Sequence, residues 1–257
     1  MPGKSARRTP KRIKMTEATS AANFSLNKDL NAKALGKTFR REGKISIPDI
    51  LSAESAKTIT ENLLARKEWN LVFRNQGKHY DISATGFESL DPEEQAELKQ
   101  SIYASAQNDF GYMYKNYPIF DLAESGNCDP LLEEFMKFVN SEQVLSTIRR
   151  VTALDNIEYA DAQATRFEPG HFLTSHDDNL TGKNRLAAYV FNLTHDWSPD
   201  WGGNLMFYDK NNNVDQVFVP KLNALSLFLI GNQHAVNLVS PFAKRPRLAI
   251  TGWFRHG

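Results

Sequence analysis

Four side chains in two separate segments of this chain could bind a metal ion: those of His176-Asp177-Asp178 and, further along, His234. Two imidazoles and one carboxylate form a 2-His-1-carboxylate triad, which leaves coordination positions open and is typical of non-haem Fe(II) oxygenases. Alternate residues of a strand face the same way, so we predict that His176 and Asp178 point inward and Asp177 points away. A polar turn after an apolar run would place His234 at the mouth of a barrel.

Arg247 follows His234 by thirteen residues and is predicted to be a buried cation. In the β-rich run that starts at Arg247, Thr251 and Trp253 share its face. A guanidinium inside a barrel is costly unless a carboxylate pairs with it, and its fork geometry suits a bidentate contact. We therefore predict that Arg247 holds a carboxylate, which in an oxygenase of the non-haem Fe(II) type would be that of 2-oxoglutarate. Arg245 has the same parity, but Pro246 separates it from the strand.

The second half of the chain is predicted to be rich in strands. Short β-rich runs separated by Gly, Pro and Asn are typical of a sandwich or barrel. No long helical pattern lies between them, which argues against a parallel βαβ sheet. The predicted strands cover residues 186–193, 205–208, 214–219, 224–230, 235–239 and 248–254.

The first half is predicted to be mainly helical. Asp91-Pro92-Glu93-Glu94 combines a cap, a proline in the first turn and an acid at the third position, a pattern typical of a helix start. Residues 39–50 are predicted to be extended. The polar segment 68–87 is predicted to be a long loop that could reach a substrate. Helices are predicted to begin near Ser52, Asp91, Asp129 and Ser141.

Length and composition exclude several classes of protein. A chain of 257 residues can form one large domain with a substantial core. Its 31 Lys and Arg nearly balance its 30 Asp and Glu, so the overall charge indicates no partner. Cys128 is the single cysteine, which excludes an intrachain disulfide and favours a cytoplasmic location. No apolar stretch approaches the roughly 20 residues of a membrane span, and we recognise no secretory signal.

The charge is unevenly distributed along the chain. Residues 1–15 contain six Lys and Arg and no acid. We predict a basic, disordered tail over residues 1–35 and a domain over 36–257, with helical support in 36–155 and a strand core in 156–257. A weak contact with RNA, or with the ribosome, is the functional alternative for the tail.

Three stretches resemble the catalytic domain of Fe(II)/2-oxoglutarate-dependent prolyl hydroxylases, and most closely that of the ribosomal prolyl hydroxylases. They are residues 176–178, 197–205 and 223–257, the last ending in Arg247-Leu248-Ala249-Ile250-Thr251-Gly252-Trp253-Phe254 and three further residues. The resemblance implies a mainly β protein: a double-stranded β-helix (jelly-roll) core packed by N-terminal helices. It also implies Fe(II), 2-oxoglutarate and O2, with ascorbate as a candidate reductant.

The resemblance assigns further residues and also has departures. Family members often place tyrosines near the 2-oxoglutarate tail where this chain has Phe167 and Asn192. Arg247 would then act with help from Asn192 or Thr251. Arg185 and Trp253 are candidate contacts to the substrate. The eukaryotic ribosomal enzymes carry a second β-helix domain, which we do not expect in this chain.

The leading hypothesis is hydroxylation of a prolyl residue in a protein or peptide, with a ribosomal protein as first candidate. A hydroxylase of a free amino acid or other small molecule, a nucleic-acid demethylase and a non-catalytic β-helix binding module are the alternatives. Demethylases typically place a second arginine where this chain has Gly252-Trp253-Phe254. The spacing of His171 from His176 does not favour a shared face. The histidines predicted to be ordinary surface residues are His79, His195 and His256.

Overall fold

The computed structural model describes residues 24–257. The basic segment 1–15 lies outside the described residues. Thirteen strands of the described region form one antiparallel sheet, which curves into a nearly closed barrel with helices packed outside it. This architecture confirms the predicted mainly β fold of the double-stranded β-helix type.

Seven α-helices occur within residues 24–257, and most of them precede the strand core. None is long and apolar enough to cross a membrane. The helices are α1 (Ala32–Glu42), α2 (Ala53–Ala65), α3 (Ala84–Glu88), α4 (Pro92–Ala106), α5 (Ile119–Glu124), α6 (Pro130–Val139) and α7 (Glu142–Thr152).

Side-chain caps explain where the four predicted helices begin. The Asp91 carboxylate accepts from the Glu94 N–H, and the Glu94 carboxylate accepts from the Asp91 N–H, which completes a capping box. Ser52, Asp129 and Ser141 cap α2, α6 and α7 in the same way through side-chain oxygens. Such caps satisfy N–H groups that lack a partner within the helix, and each typically stabilises the protein by about 1 kcal/mol. The four predicted helix starts are thus confirmed.

The strands of the described region are β1 (Lys44–Ile47), β2 (Asn70–Asn75), β3 (Lys78–Ser83), β4 (Tyr112–Tyr117), β5 (Tyr159–Ala160), β6 (Gln163–Phe167), β7 (Phe172–His176), β8 (Arg185–Asn192), β9 (Leu205–Tyr208), β10 (Val214–Phe218), β11 (Ala224–Leu229), β12 (His234–Val236) and β13 (Arg247–Arg255). A short 3-10 helix covers Pro199–Trp201. In the sheet the strands lie in the order β1-β11-β8-β13-β6-β4-β7-β12-β9-β10, with β2 joined to β3 and β4, and β5 joined to β13.

The largest core lies between the helices and one face of the sheet. Leu248, Ile250 and Phe254 of β13 belong to it, together with Phe135 of α6 and Val151 of α7. Each such side chain stabilises the fold by roughly 1.5–3 kcal/mol when fully buried. Because strand residues alternate, the odd-numbered residues of β13 are left to line the interior of the barrel.

Two boundary predictions at the N-terminal side of the domain are wrong. Residues 39–50 were predicted to be extended, but Phe39 is buried in α1, which Gly43 ends with a left-handed backbone and an N–H donated to the Phe39 carbonyl. The folded part also begins before residue 36. Phe24 packs edge-on against Phe135 with 5.1 Å between ring centroids, and Leu26 bridges to Leu51.

The segment 68–87 is not the long loop that was predicted. It forms the hairpin of β2 and β3, which pair from Asn70 with Ser83 to Asn75 with Lys78, followed by α3. Gln76 and Gly77 have φ of 48° and 74°, as a two-residue type I′ turn requires. Its inward residues are apolar, since Leu71 and Phe73 are buried under α4. The many polar residues of this segment lie on the outer strand.

Gly252 of β13 packs closely against Asp161, in the connection between β5 and β6, so one added methyl group should have a strong effect. A Cβ on Gly252 would lie 2.1 Å from the Asp161 carbonyl oxygen, so Gly252→Ala must displace backbone. We expect the free energy of unfolding to fall by about 1–3 kcal/mol or more. Urea denaturation measures it. Gly86→Ala is the control, because its Cβ would meet nothing closer than 3.8 Å; an equal loss there would contradict the explanation.

Candidate metal and cosubstrate site

The three predicted metal ligands lie together at one end of the barrel. His176 is the last residue of β7 and pairs in register with His234, the first residue of β12. Asp178 follows two residues after β7. Its Oδ1 lies 3.6 Å from His176 Nε2, and its Oδ2 lies 3.4 Å from His234 Nε2. The three ligand atoms fall within 4.8 Å of one another, which suits a single ion.

Backbone carbonyls orient both imidazoles. His176 Nδ1 lies 2.9 Å from the Thr174 carbonyl oxygen, and His234 Nδ1 lies 2.8 Å from that of Asn232. An Nδ1–H donated to a carbonyl leaves the Nε2 lone pair free for a metal. Burial and the neighbouring His176 lower the pKa of His234 to about 4. His234 is therefore neutral near pH 7, as a metal ligand must be.

The predicted separation of Asp178 from Asp177 is observed, but strand alternation is not its cause. Strand β7 ends at His176, and Asp178 has a left-handed backbone with φ of 61°. The Asp177 carboxylate accepts from the Asn179 N–H at 2.9 Å, and the Asp177 carbonyl accepts from the Gly231 N–H at 3.0 Å. Asp177 thus stabilises the turn, whereas Asp178 faces the histidines.

Arg247 is a buried cation without a counter-charge. It is 3% exposed, and no carboxylate of residues 24–257 lies within ion-pair distance of it. Its guanidinium carbon lies 5.2 Å from the centre of the Phe167 ring, and its Nε has no hydrogen-bond partner. Burial lowers the pKa of Arg247 to about 10, so it remains charged near pH 7. Such a group is costly unless a ligand anion pairs with it.

The two residues predicted to assist Arg247 are engaged elsewhere. The Asn192 amide nitrogen donates towards the carbonyls of Val190 and Ala224 and the Ser226 hydroxyl, at 3.2–3.3 Å. The Thr251 hydroxyl donates to the Tyr189 carbonyl at 2.9 Å. Both share the face of the sheet that carries Arg247, but their donors stabilise neighbouring strands. For a ligand, Asn192 and Thr251 therefore have only their oxygen atoms left, as hydrogen-bond acceptors.

Tyr114 is an interior residue that the sequence analysis missed. It stacks on Phe167, with ring centroids 4.9 Å apart and planes 10° from parallel. Burial above all raises the pKa of the Tyr114 hydroxyl, and the Asp178 carboxylate adds to this, so the phenol stays protonated. The alternation Tyr112, Tyr114, Asn116 was the available signal, because it marks one face of a strand. The Tyr114 hydroxyl therefore lies in the same interior as Arg247, where the Gln163 side chain is its hydrogen-bond neighbour.

Arg185 and Trp253 adjoin the metal ligands, where substrate contacts were predicted. The Arg185 guanidinium carbon lies 3.4 Å from the centre of the Trp253 ring. One Arg185 nitrogen lies 3.6 Å from Asp178 Oδ1 and donates to the Asp178 carbonyl at 3.3 Å. Arg185 Nε and Trp253 Nε1 are buried without a hydrogen-bond partner. Two unsatisfied donors side by side favour a ligand that brings acceptor oxygens.

A buried ion pair behind Trp253 was also missed. The Asp161 carboxylate pairs with Arg255 and accepts from the Trp253 N–H at 2.7 Å. The Tyr189 hydroxyl donates to the Asp161 carbonyl at 2.6 Å. Burial raises the pKa of Asp161, while the Arg255 guanidinium acts in the opposite direction. This pair anchors the end of β13 that carries Trp253. No local pattern relates residues this far apart in sequence.

The other candidate residues lie apart from the ligand cluster. His171 is buried, and its Nδ1 accepts from the Glu168 N–H at 3.1 Å. Arg245 is exposed and lies 3.4 Å from an oxygen of the Asp196 carboxylate. His79 is exposed, as predicted, with its Nδ1 2.7 Å from the Tyr112 hydroxyl. Of the two candidate arginines for the carboxylate contact, Arg247 therefore lies inside the barrel and Arg245 lies on the surface.

Comparison with known proteins agrees with this geometry. Residues 162–255 match the family model described as the 2OG-Fe(II) oxygenase superfamily. Over 120 residues the chain is 28% identical to Prolyl 3-hydroxylase OGFOD1 of Mus musculus, a match that covers 44% of this chain and 22% of that protein. The chain thus spans under a quarter of the length of that relative.

Solved structures share the fold. A Pseudomonas putida prolyl-4-hydroxylase has a TM-score of 0.56 at 19% identity, covering 88% of this chain and 100% of that one. A 2OG-Fe(II) oxygenase family oxidoreductase from Burkholderia pseudomallei has a TM-score of 0.58 at 12% identity, covering 92% and 96%. A Trichoplax adhaerens prolyl hydroxylase, in complex with a hypoxia inducible factor peptide fragment, has a TM-score of 0.55 at 19% identity, covering 88% and 89%.

The fold and the family match agree on the class of protein that this chain resembles. Residues 162–255 are similar to the 2OG-Fe(II) oxygenase superfamily, and this similarity supports a dioxygenase domain. Within this class it is similar to prolyl hydroxylases, and the resemblance predicted from the sequence is confirmed. The His-His-Asp cluster and the unpaired Arg247 fit the Fe(II) and 2-oxoglutarate that the superfamily implies.

The different contacts of Asp177 and Asp178 predict different effects of replacing each of them. Asp178→Ala removes a ligand oxygen, so we expect metal affinity to fall by more than the 10–100-fold typical of losing an outer partner of a ligand. Asp177→Ala should leave metal affinity within about threefold of wild type. The Asp177 side chain contacts only the turn, so its removal should cost little free energy at the metal site. Titration with Mn(II) in a calorimeter measures both. Equal losses from the two variants would refute the ligand assignment.

The unpaired guanidinium predicts where the cosubstrate binds. Arg247→Ala should weaken 2-oxoglutarate binding by about 2–5 kcal/mol, because one partner of a buried charge pair is lost. Binding of Mn(II) itself should stay unchanged. Calorimetric titration of the Mn(II)-loaded protein with 2-oxoglutarate measures the effect. Arg245→Ala is the matched control, and the assignment fails if that exposed arginine proves to be the critical one.

Proposed function

We propose that this chain is an Fe(II)- and 2-oxoglutarate-dependent dioxygenase that hydroxylates a prolyl residue of a protein, with a ribosomal protein as first candidate. The observation that carries the proposal is the pairing of a three-ligand cluster with an unpaired, buried Arg247 inside one barrel. The first suits a metal with open positions, and the second suits the carboxylate of a chelating cosubstrate.

His176, His234 and Asp178 would hold Fe(II), and Arg247 would hold the far carboxylate of 2-oxoglutarate. When bound, these groups supply the chemistry: O2 converts 2-oxoglutarate to succinate and CO2, and one oxygen atom enters a substrate C–H bond. The chain's own residues place the reactants and shield them. The Tyr114 hydroxyl is a candidate second donor to the cosubstrate, since it shares the interior with Arg247.

Aromatic side chains pack around both imidazoles. Phe228 packs edge-on against His234, with ring centroids 4.6 Å apart, and Phe207 lies beyond it at 6.2 Å. Phe110 covers the other imidazole, 5.4 Å from the centre of the His176 ring. These rings restrain both imidazoles, and those around His234 bury it, which strengthens its electrostatic contacts.

Two features of the rim support a peptide substrate. Arg185 lies beside Asp178 and stacks on Trp253, and its guanidinium could donate to a main-chain carbonyl of a peptide. Strand β3 pairs only with β2 among the described strands, so its other edge can accept an extended segment. The Phe110 and Tyr112 rings, 5.5 Å apart, continue from His176 towards this hairpin.

The proposal also covers the reductant and the cellular location. Ascorbate would serve as reductant, and the location would be the cytoplasm. The only cysteine, Cys128, supports a reducing location, since it has no partner for an intrachain disulfide. Burial raises the pKa of its thiol to about 11, which keeps the group protonated and unreactive.

The candidate ribosomal protein is one at the decoding centre of the small subunit, and the test is mass spectrometry of a peptide from it after incubation with the chain. We expect a gain of one oxygen on a proline that requires Fe(II) and 2-oxoglutarate. His176→Ala should abolish the gain, and Asp177→Ala should retain it. Free proline and other free amino acids form the second arm. If only these are hydroxylated, the substrate is a small molecule, and the protein-substrate proposal is wrong.

A further inference from the structure

The charge of this chain is divided between two regions. The first 42 residues contain eleven Lys and Arg against three Asp and Glu. The remaining 215 residues contain 20 Lys and Arg against 27 Asp and Glu. A polyanion would therefore be attracted to the N-terminal region and repelled by the rest, although the overall net charge is only +1.

Helix α1 carries the described part of this positive charge on its outer face. Lys33, Lys37 and Arg41 follow one another at intervals of four residues, and Arg40 adjoins them; all four are exposed. Residues four apart lie about 6 Å apart along a helix axis, so this basic stripe is about 12 Å long. The opposite face is apolar, with Phe39 buried in the core.

Few acids neutralise the stripe. Arg41 pairs with its neighbour Glu42 at 2.6 Å, whereas Lys33, Lys37 and Arg40 have no ion-pair partner among residues 24–257. The other acids of this region are engaged or isolated. Asp215 pairs with Lys44 at 2.7 Å, and Asp29 precedes the helix. Three cations of α1 are thus available to an external anion.

The stability of the helix does not explain the stripe. Cations in the last turn, such as Arg40 and Arg41, interact favourably with the negative end of the helix dipole. Lys33, however, is the second residue of α1, where the dipole favours an acid, and the first turn contains none. A cation placed against the dipole is better explained by an external anion.

The surface suits phosphates more than a lipid bilayer. A helix that lies on a membrane buries large apolar side chains in the bilayer. The large apolar residues of α1, Leu35 and Phe39, instead pack into the protein core. The α1 stripe carries no aromatic residue on which a base could stack, so it offers contacts to a charged backbone alone.

We propose that the basic stripe of α1 binds the phosphodiester backbone of a nucleic-acid strand, without preference for sequence. The stripe is a binding surface separate from the metal and cosubstrate site, and the proposal is independent of the identity of the hydroxylated substrate.

The salt dependence of binding is the measurement that tests the proposal. Each phosphate contact to a single strand adds about 0.7 to the slope of log K against log salt. Replacing Lys33, Lys37 and Arg40 together by Gln should lower this slope by about 2. The affinity ratio of wild type to variant should then shrink about 20-fold between 50 and 200 mM salt. Fluorescence anisotropy of a labelled single-stranded RNA of mixed sequence, with the full chain, provides these values.

Matched variants separate the stripe from bulk charge. Replacing Lys57, Lys67 and Lys221 by Gln removes the same charge from exposed positions elsewhere, and its slope should stay at the wild-type value. A DNA strand of the same sequence should bind within about threefold of the RNA, because phosphates alone are contacted. The single change Lys33→Gln, which relieves the dipole conflict, should still lower the slope by about 0.7, and it guards against loss of folding in the triple variant.

Several results would overturn the proposal. One is an unchanged slope in the folded α1 variants together with lost binding on deletion of residues 1–15, which would assign the contact to that segment alone. Another is an equal effect of the Lys57, Lys67 and Lys221 control. Binding to phosphatidylserine vesicles with none to RNA or DNA would show that the partner is a membrane surface.

Discussion

The antiparallel register of β7 and β12 is the constraint on which the rest of the site depends. It sets His176 directly opposite His234, and the turn after β7 returns Asp178 to the same point. Strand side chains alternate with a period of two, so a slip of one residue would turn one histidine to the opposite face. The strands flanking this pair, β4 and β9, hold that register. The barrel therefore supports the ligand cluster as well as enclosing it.

The interior of the barrel is organised around charge that the chain does not itself neutralise. Arg247 is buried without a carboxylate, and Arg185 and Trp253 retain unsatisfied donors near the rim. In contrast, Asp161 and Arg255 form an ion pair at the end of the same strand. A folded protein tolerates the cost of unpaired groups where a ligand relieves it. The unpaired Arg247 and the ligand cluster thus mark the part of the barrel in which ligands are expected to bind.

Sequence information sufficed where the determinants are local. The caps at Asp91 and Asp129 fix helix starts within a turn, and the positions of His176 and Arg247 follow from short motifs and parity. Sequence information did not suffice where contacts between distant segments determine the structure. The segment around Phe39 is helical because its apolar face meets the core, and the polar segment before residue 87 forms a hairpin because β2 pairs with β4. Tyr114 and the Asp161–Arg255 pair depend on strands that meet only in three dimensions.

The left-handed backbone of Asp178 restricts which residues this position accepts. Among residues with a β-carbon, Asp and Asn tolerate positive φ better than most others. Asp supplies both the tolerated backbone and the carboxylate, whereas Asn retains the backbone and loses the charge. A glutamate would meet a conformational penalty in addition to its extra methylene group. The choice of carboxylate in this ligand set is therefore limited by the turn that carries it as well as by the reach of the side chain.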